Sequence, residues 1–145
     1  KSGRMLLATG FMRKVFETFE NHRTPVDMVT TSEVGISVTI DNPKHLEEIV
    51  DDLKRYGTVT VDSDLVIICV VGDLSWRNVG YEGRIVGALA DIPVRMISYG
   101  GSNHNLSILV SAADKARTLR ALSHHLFDSP GEPPMKALEN NSAPQ

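Results

Sequence analysis

Phe11, Val15, Phe16 and Phe19 recur at spacings of 4, 1 and 3, so their side chains share one face of a helix running from about Gly10 to His22. Pro25 ends that helix. Val26 to Ser32 then reads as a strand and Val34 to Asp41 as its partner, joined by a tight connection around Glu33. Asn42-Pro43 breaks the chain before a second helix whose buried stripe is Leu46, Ile49, Val50 and Leu53, closed by Tyr56-Gly57. Thr58 to Val61 is short and rich in β-formers. Ahead of the first helix only Arg4 to Leu7 resembles a strand.

The second half opens on Leu65 to Val71, a continuous apolar run suited to a central strand with neighbours on either side. A helix is expected from about Asn78 to Ala90, then a strand from Val94 to Tyr99 and the turn-rich Gly100-Gly101-Ser102-Asn103. Asn105 to Val110 returns as a strand. A last helix, about Ala113 to Leu126, aligns Leu119, Leu122 and Leu126 on one face. Asp128 to Gln145 holds four prolines and no periodicity, which predicts a disordered tail.

The two halves repeat one another. Pro25-Val26-Asp27-Met28-Val29-Thr30 recurs as Pro93-Val94-Arg95-Met96-Ile97-Ser98, each copy preceded by a helix that opens Gly-aromatic, Gly10-Phe11 and Gly80-Tyr81. Ile36 to Ile40 and Leu106 to Val110 are the matching return strands, at an offset of about 70 residues, the size of a small α+β module. The chain therefore divides into two sister domains, 1–63 and 64–127, followed by the tail, 128–145. The element order is the split βαβ or ferredoxin-like plan, α+β, an antiparallel sheet with both helices on one face. Each copy comes up one strand short, which predicts an edge covered by another chain or by sequence outside this one.

Composition narrows the function. The 145 residues are 41% hydrophobic, enough for a real core, and carry 15 Lys plus Arg against 18 Asp plus Glu, a formal charge of −3. With no basic block to neutralise phosphates, nucleic acid is not an expected partner. The longest apolar run, Leu65 to Val71, is seven residues where a membrane span needs roughly 20, so no membrane association is expected. The single cysteine, Cys69, excludes an internal disulfide and points to a reducing compartment, the cytoplasm.

Candidate chemistry is sparse. His22, His45, His104, His124 and His125 lack the spacings that gather metal ligands, and no metal site is expected. Cys69 reads as a buried small hydrophobe within the most apolar strand. Gly80-Tyr81-Glu82-Gly83 and Gly100-Gly101 match no phosphate loop. Trp76 follows the central strand, where it fits a core edge or an interface equally. Asp27 to Glu33 offers two carboxylates and several hydroxyls close in sequence, equipment for holding an amino acid, although a hairpin turn with a solvated Asp27 accounts for the same residues.

Gly10-Phe11 opening a helix, Val26 to Val34, and Ser102-Asn103-His104-Asn105-Leu106-Ser107, in this order and spacing, resemble the tandem ACT domains that form the regulatory tail of bacterial aspartokinases. The likeness spans residues 5 to about 127 and is strongest to the lysine-sensitive, single-function branch. It implies two interleaved ACT modules, the second taking a strand from sequence before the first. It further implies a homodimer through those modules and an upstream amino-acid-kinase domain that phosphorylates aspartate, with ATP and Mg2+ as substrates of that absent domain. No catalysis and no cofactor are then expected of this chain. The effector implied is L-lysine, with L-threonine as the alternative.

Carried over residue by residue, the resemblance implies a pocket lined by Met5, Ala8, Gly10, Phe11, Pro25, Val26 and Asp27, completed by Thr31, Ser32 and Glu33. Asp27 would take the cationic group of the ligand and N–H groups near Gly10 its carboxylate. Ala8 and Pro25 stand where that branch often has serine. The competing expectations are a free-standing ACT sensor or dimerisation module, and the threonine-responsive region of a bifunctional aspartokinase with homoserine dehydrogenase.

Overall fold

The computed structural model describes residues 9–32, 35–75 and 77–127, together with the backbone of 136–144. Each half of the chain builds its sheet from strands that carry one apolar face and lays two helices on that face. The chain divides into two units, Lys1–Ser63 with Ser142–Gln145, and Asp64–Asn141. Both are α+β with antiparallel strands, and four α-helices are found among the described residues.

In the first unit α1 (Phe11–Asn21) is followed by β1 (Val26–Ser32) and β2 (Gly35–Ile40), which pair antiparallel, and then by α2 (Leu46–Leu53). Val15 and Phe19 of α1 and Ile49 and Leu53 of α2 close over Val38 and Ile40 of β2. Alternate residues of β2 thus face both helices, the pattern a strand with one covered face requires. Asn42 Oδ1 accepts the N–H of Lys44 and caps the short 3-10 turn that leads into α2.

The second unit repeats this order: β3 (Leu65–Val71), α3 (Tyr81–Ala88), β4 (Val94–Ser98), β5 (Asn105–Ser111) and α4 (Lys115–Phe127). β5 pairs antiparallel with both β3 and β4, and β3 has a neighbour on each side, the central place expected of it. Val66, Ile68 and Val70 of β3 alternate with outward residues and meet Leu106, Ile108 and Val110 of β5 under Ile85, Leu122 and Leu126. The other face is not polar throughout, because Ile67, Met96 and Leu109 are buried as well. Ser111 Oγ accepts the N–H of Ala113 and starts the turn into α4, the counterpart of the Asn42 cap.

Three expectations are corrected. Thr58 to Val61 is not a strand; Val59 instead packs its side chain on the core of the first unit. α3 is shorter than the predicted Asn78 to Ala90, since Gly80 at φ 96° fixes its start. The tail is not disordered throughout: Lys136–Pro144 is a strand, β6, whose Ala143 and Pro144 pair antiparallel with Ile40 and Thr39 of β2. Its prolines mislead because Pro130, Pro133 and Pro134 precede the strand, while Pro144 stands at its end, where the missing N–H is tolerated. The strand fragment Arg4 to Leu7, the borrowed strand expected before the first module, and Trp76 lie outside the described residues.

Candidate functional site

β1 is the outermost strand of its sheet among the described residues, and it is bulged. Val26 lies opposite Ile40 and Val29 opposite Val38, so three steps on β1 answer two on β2. The extra residue displaces the N–H of Met28 from the ladder. Thr39, itself fully buried, accepts it through Oγ1 at 2.8 Å. On this bulge Asp27 is exposed between half-buried Val26 and buried Met28. A charged residue on a bulged edge is also a common guard against unwanted strand pairing.

Gly10 sits in the left-handed region, φ 90° and ψ 0°, as the residue before α1. It supplies no capping side chain, and the first turn of α1 holds no acidic residue. The Gly10 carbonyl accepts the Lys14 N–H at 3.1 Å, but the N–H groups of the first turn have no partner within the helix. That end consequently carries partial positive charge toward solvent. Phe11 anchors it by packing on the core.

The helix ends in a closed turn. The Arg23 N–H donates to the Glu20 carbonyl and the Thr24 N–H to the Phe19 carbonyl, both at 2.9 Å, with Arg23 at φ 49°. β1 begins two residues after Thr24. Asp27 therefore lies at the C-terminal end of α1, while the 11 residues of the helix hold Gly10 roughly 16 Å away at about 1.5 Å per residue.

The described residues of the implied pocket thus fall into three groups. Pro25, Val26 and Asp27 stand at the start of β1, with Pro25 and Asp27 exposed. Thr31 and Ser32, also exposed, stand at its far end opposite Ile36 and Gly35, about 13 Å from Asp27 at the ordinary strand rise. Gly10 and Phe11 form the entry to α1. One chain does not bring Asp27 together with Gly10 or with Thr31. Met5, Ala8 and Glu33 lie outside the described residues.

Sequence reasoning missed Thr39. The available signal was its sister position, occupied by apolar Leu109, against which a buried hydroxyl stands out. It also missed that His22 Nε2 meets Asp52 Oδ2 at 2.6 Å and ties the end of α1 to α2. Cys69 is half-buried, short of the full burial expected, with Sγ 3.4 Å from Ser107 Oγ. Arg84 of α3 donates to the His125 carbonyl at 3.0 Å, satisfying the last turn of α4 where His124 and His125 stand. No group of three or more His, Cys, Asp or Glu suited to a metal occurs among the described residues. None of their helices is long and apolar enough to cross a membrane.

Two open depressions include none of the implied pocket residues. One is lined by Leu46, Val50, Asp51, Lys54 and Val61 among others, the second by Arg13, Phe16, Glu17 and Glu20. The candidate site is a surface along an edge strand and a helix entry, complete only if something else supplies a second wall.

Two sister α+β units, each with an antiparallel sheet under two helices and a glycine-started first helix, are of the ACT regulatory type. Residues 68–126 match the family described as ACT domain. The chain is 59% identical to a solved structure described as the C-terminal regulatory domain of aspartate kinase from Porphyromonas gingivalis W83, with TM-score 0.79, covering 88% of this chain and 87% of that one. It is 34% identical to the structure of Escherichia coli aspartokinase III in complex with lysine and aspartate, TM-score 0.76, over 87% of this chain and 29% of that one. By sequence it is 30% identical to lysine-sensitive aspartokinase 3 of Escherichia coli K12, over 86% of this chain and 29% of the relative. The chain belongs to the C-terminal regulatory regions of aspartokinases. It spans only about a quarter of the length of the full aspartokinases it matches, 24% of that of Candida albicans and 29% of that of Escherichia coli K12.

Proposed function

We propose that this chain is the lysine-responsive regulatory part of an aspartokinase, and that L-lysine binds between two copies of it. An upstream kinase domain would transfer phosphate from ATP, with Mg2+, to the side-chain carboxylate of L-aspartate. The regulatory part contributes no catalytic group. The observation that carries the reading is the division of the implied pocket between the two ends of β1. Asp27 lies at one end, while Thr31 and Ser32 lie at the other.

Two copies related by a dyad across this edge would run their β1 strands antiparallel. The Asp27 end of each would then meet the Thr31 end of the other, since an isologous contact reverses the element it repeats. A lysine lying across that junction finds a carboxylate for its ammonium, a charge-assisted contact of about 1.5–3 kcal/mol. Partly positive N–H groups at the start of α1 suit its carboxylate. Ligand binding would favour one packing of the pair, and that preference passes to the kinase domains as a coupling of about 1–3 kcal/mol. Linkage makes the effect reciprocal, so aspartate and lysine would weaken each other's binding.

Calorimetric titration of the chain with L-lysine tests this, with L-threonine and L-methionine as controls and Asp27→Ala as a second protein. The expected result is saturable lysine binding that Asp27→Ala abolishes. Threonine binding without lysine binding would replace the effector, and silence toward all three in a folded dimer would leave a dimerisation module.

A further inference from the structure

The two units share a frame, with positive φ at Gly10 and Gly80 and a bulge in β4 as in β1, yet they tie their helix pairs alike only at one end. Four residues after those glycines, Lys14 Nζ lies 5.4 Å from the centre of the Tyr56 ring and Arg84 donates to the His125 carbonyl at 3.0 Å. At the far end the first unit is longer. Phe19 and Leu89 are both buried nine residues after the glycines, but five residues, 20–24, then lead to Pro25, whereas three, 90–92, lead to Pro93. His22 stands in the longer stretch as the C-cap of α1, and donates Nε2–H to Asp52 Oδ2 of α2 at 2.6 Å. Arg55 reaches the other oxygen of that carboxylate at 3.9 Å. In the second unit the place of Asp52 belongs to Ala121: each lies ten residues after the capping Asn42 or Ser111 and one before buried Leu53 or Leu122. Alanine has no polar atom in its side chain, so the His22–Asp52 tie has no counterpart there and the frame folds without it.

We infer that His22 is a positioning residue for the effector: through α1 it sets where the N–H groups at Gly10 stand relative to Asp27. The inference rests on the proposed lysine site, in which the start of α1 receives the ligand's carboxylate and the start of β1 its ammonium. Those two ends meet across the proposed pair only if each α1 keeps one position along its own β1. Packing of Val15 and Phe19 on the core holds the helix to the sheet but is non-directional, so it tolerates small slides along the axis. The His22 hydrogen bond is directional, and it stands beside the turn into β1. Thr24 braces the same point, its hydroxyl donating to the His22 carbonyl at 3.1 Å. An α-helix keeps its rise per residue, so a shift at His22 arrives undiminished at Gly10. The unit that carries the implied site thus holds an anchor that its sister does without.

Calorimetric titration of the whole chain with L-lysine, well below the unfolding midpoint of each variant, tests this. His22→Ala and Asp52→Ala should each weaken binding roughly 3- to 10-fold, the scale of one hydrogen bond. The double variant should lose no more than either single one, because both remove the same bond. His22→Gln, whose amide N–H can replace Nε2–H, should recover most of the affinity. Should an alanine variant fail to fold, Asp52→Asn, which keeps an oxygen acceptor and drops the charge, carries the same expectation with a smaller loss. Folded variants that bind lysine as the unaltered chain does, even with lowered unfolding midpoints, confine the pair to stability; they overturn the role of His22 and leave the lysine site standing. Losses that add in the double variant overturn that role too, since the two side chains then act separately. An unaltered chain that binds no lysine overturns the site and its positioning together.

Discussion

The Met28 backbone N–H donates to the Thr39 hydroxyl oxygen at 2.8 Å, with both residues buried. The bulge that turns Asp27 outward takes this N–H out of the β1–β2 ladder, and a buried donor without a partner is costly. In the second unit Leu109 occupies the position of Thr39, so the two bulges are stabilised differently. Thr39→Val keeps the shape and removes the acceptor. It should destabilise the chain by about 1–3 kcal/mol in urea unfolding, while Thr39→Ser recovers most of that loss. An unchanged midpoint for Thr39→Val would mean that the bulge relaxes to restore the ladder.

The two ends of α1 predict opposite signs for exchanges between glycine and a side chain. Gly10 has φ 90° and an added Cβ would meet nothing within 4 Å, so Gly10→Ala is penalised by backbone conformation alone, about 1–2 kcal/mol. Arg23 carries a side chain at φ 49° in the turn that closes the helix, a place where glycine is favoured. Arg23→Gly should stabilise by about 0.5–1 kcal/mol, the relief of left-handed strain less the entropy a glycine loses on folding. Thermal unfolding of both variants checks the pair, and a shift of the same sign in both would contradict this account of the helix ends.

Much of this fold can be read from the chain, for identifiable reasons. The helical spacing of Phe11, Val15 and Phe19 and the apolar run Leu65–Val71 report burial directly, and burial is what the sheets and helices impose. The repeated Gly-aromatic and Pro-Val-X-Met patterns locate equivalent elements in both units. The bulges escape such reading, because an extra residue is defined only against the partner strand. β6 escapes it too: Lys136 to Ser142 has little β-propensity, and what holds its end is pairing with β2. The pocket was legible as a set of residues but not as an arrangement. Chemistry groups Asp27 with Gly10, whereas a helix of 11 residues followed by a tight turn sets them at opposite ends of the unit.

That separation gives a test of where the ligand sits. Under the proposed dyad each site takes the Asp27 end from one chain and the Thr31–Ser32 end from the other. Asp27→Ala inactivates the first end and Thr31→Val/Ser32→Ala the second, so neither variant alone should bind lysine. When the two are refolded together in equal amounts, half of the dimers are mixed. In a mixed dimer one site combines both damaged ends and the other combines both intact ends. Lysine uptake should then return to about one quarter of the unaltered level, as the symmetry of an isologous pair requires. A site contained within a single chain has no such route to recovery, since every chain in the mixture carries a damaged copy. Zero uptake in a sample shown to contain mixed dimers would therefore place the ligand inside one chain and remove the dyad from the proposed mechanism.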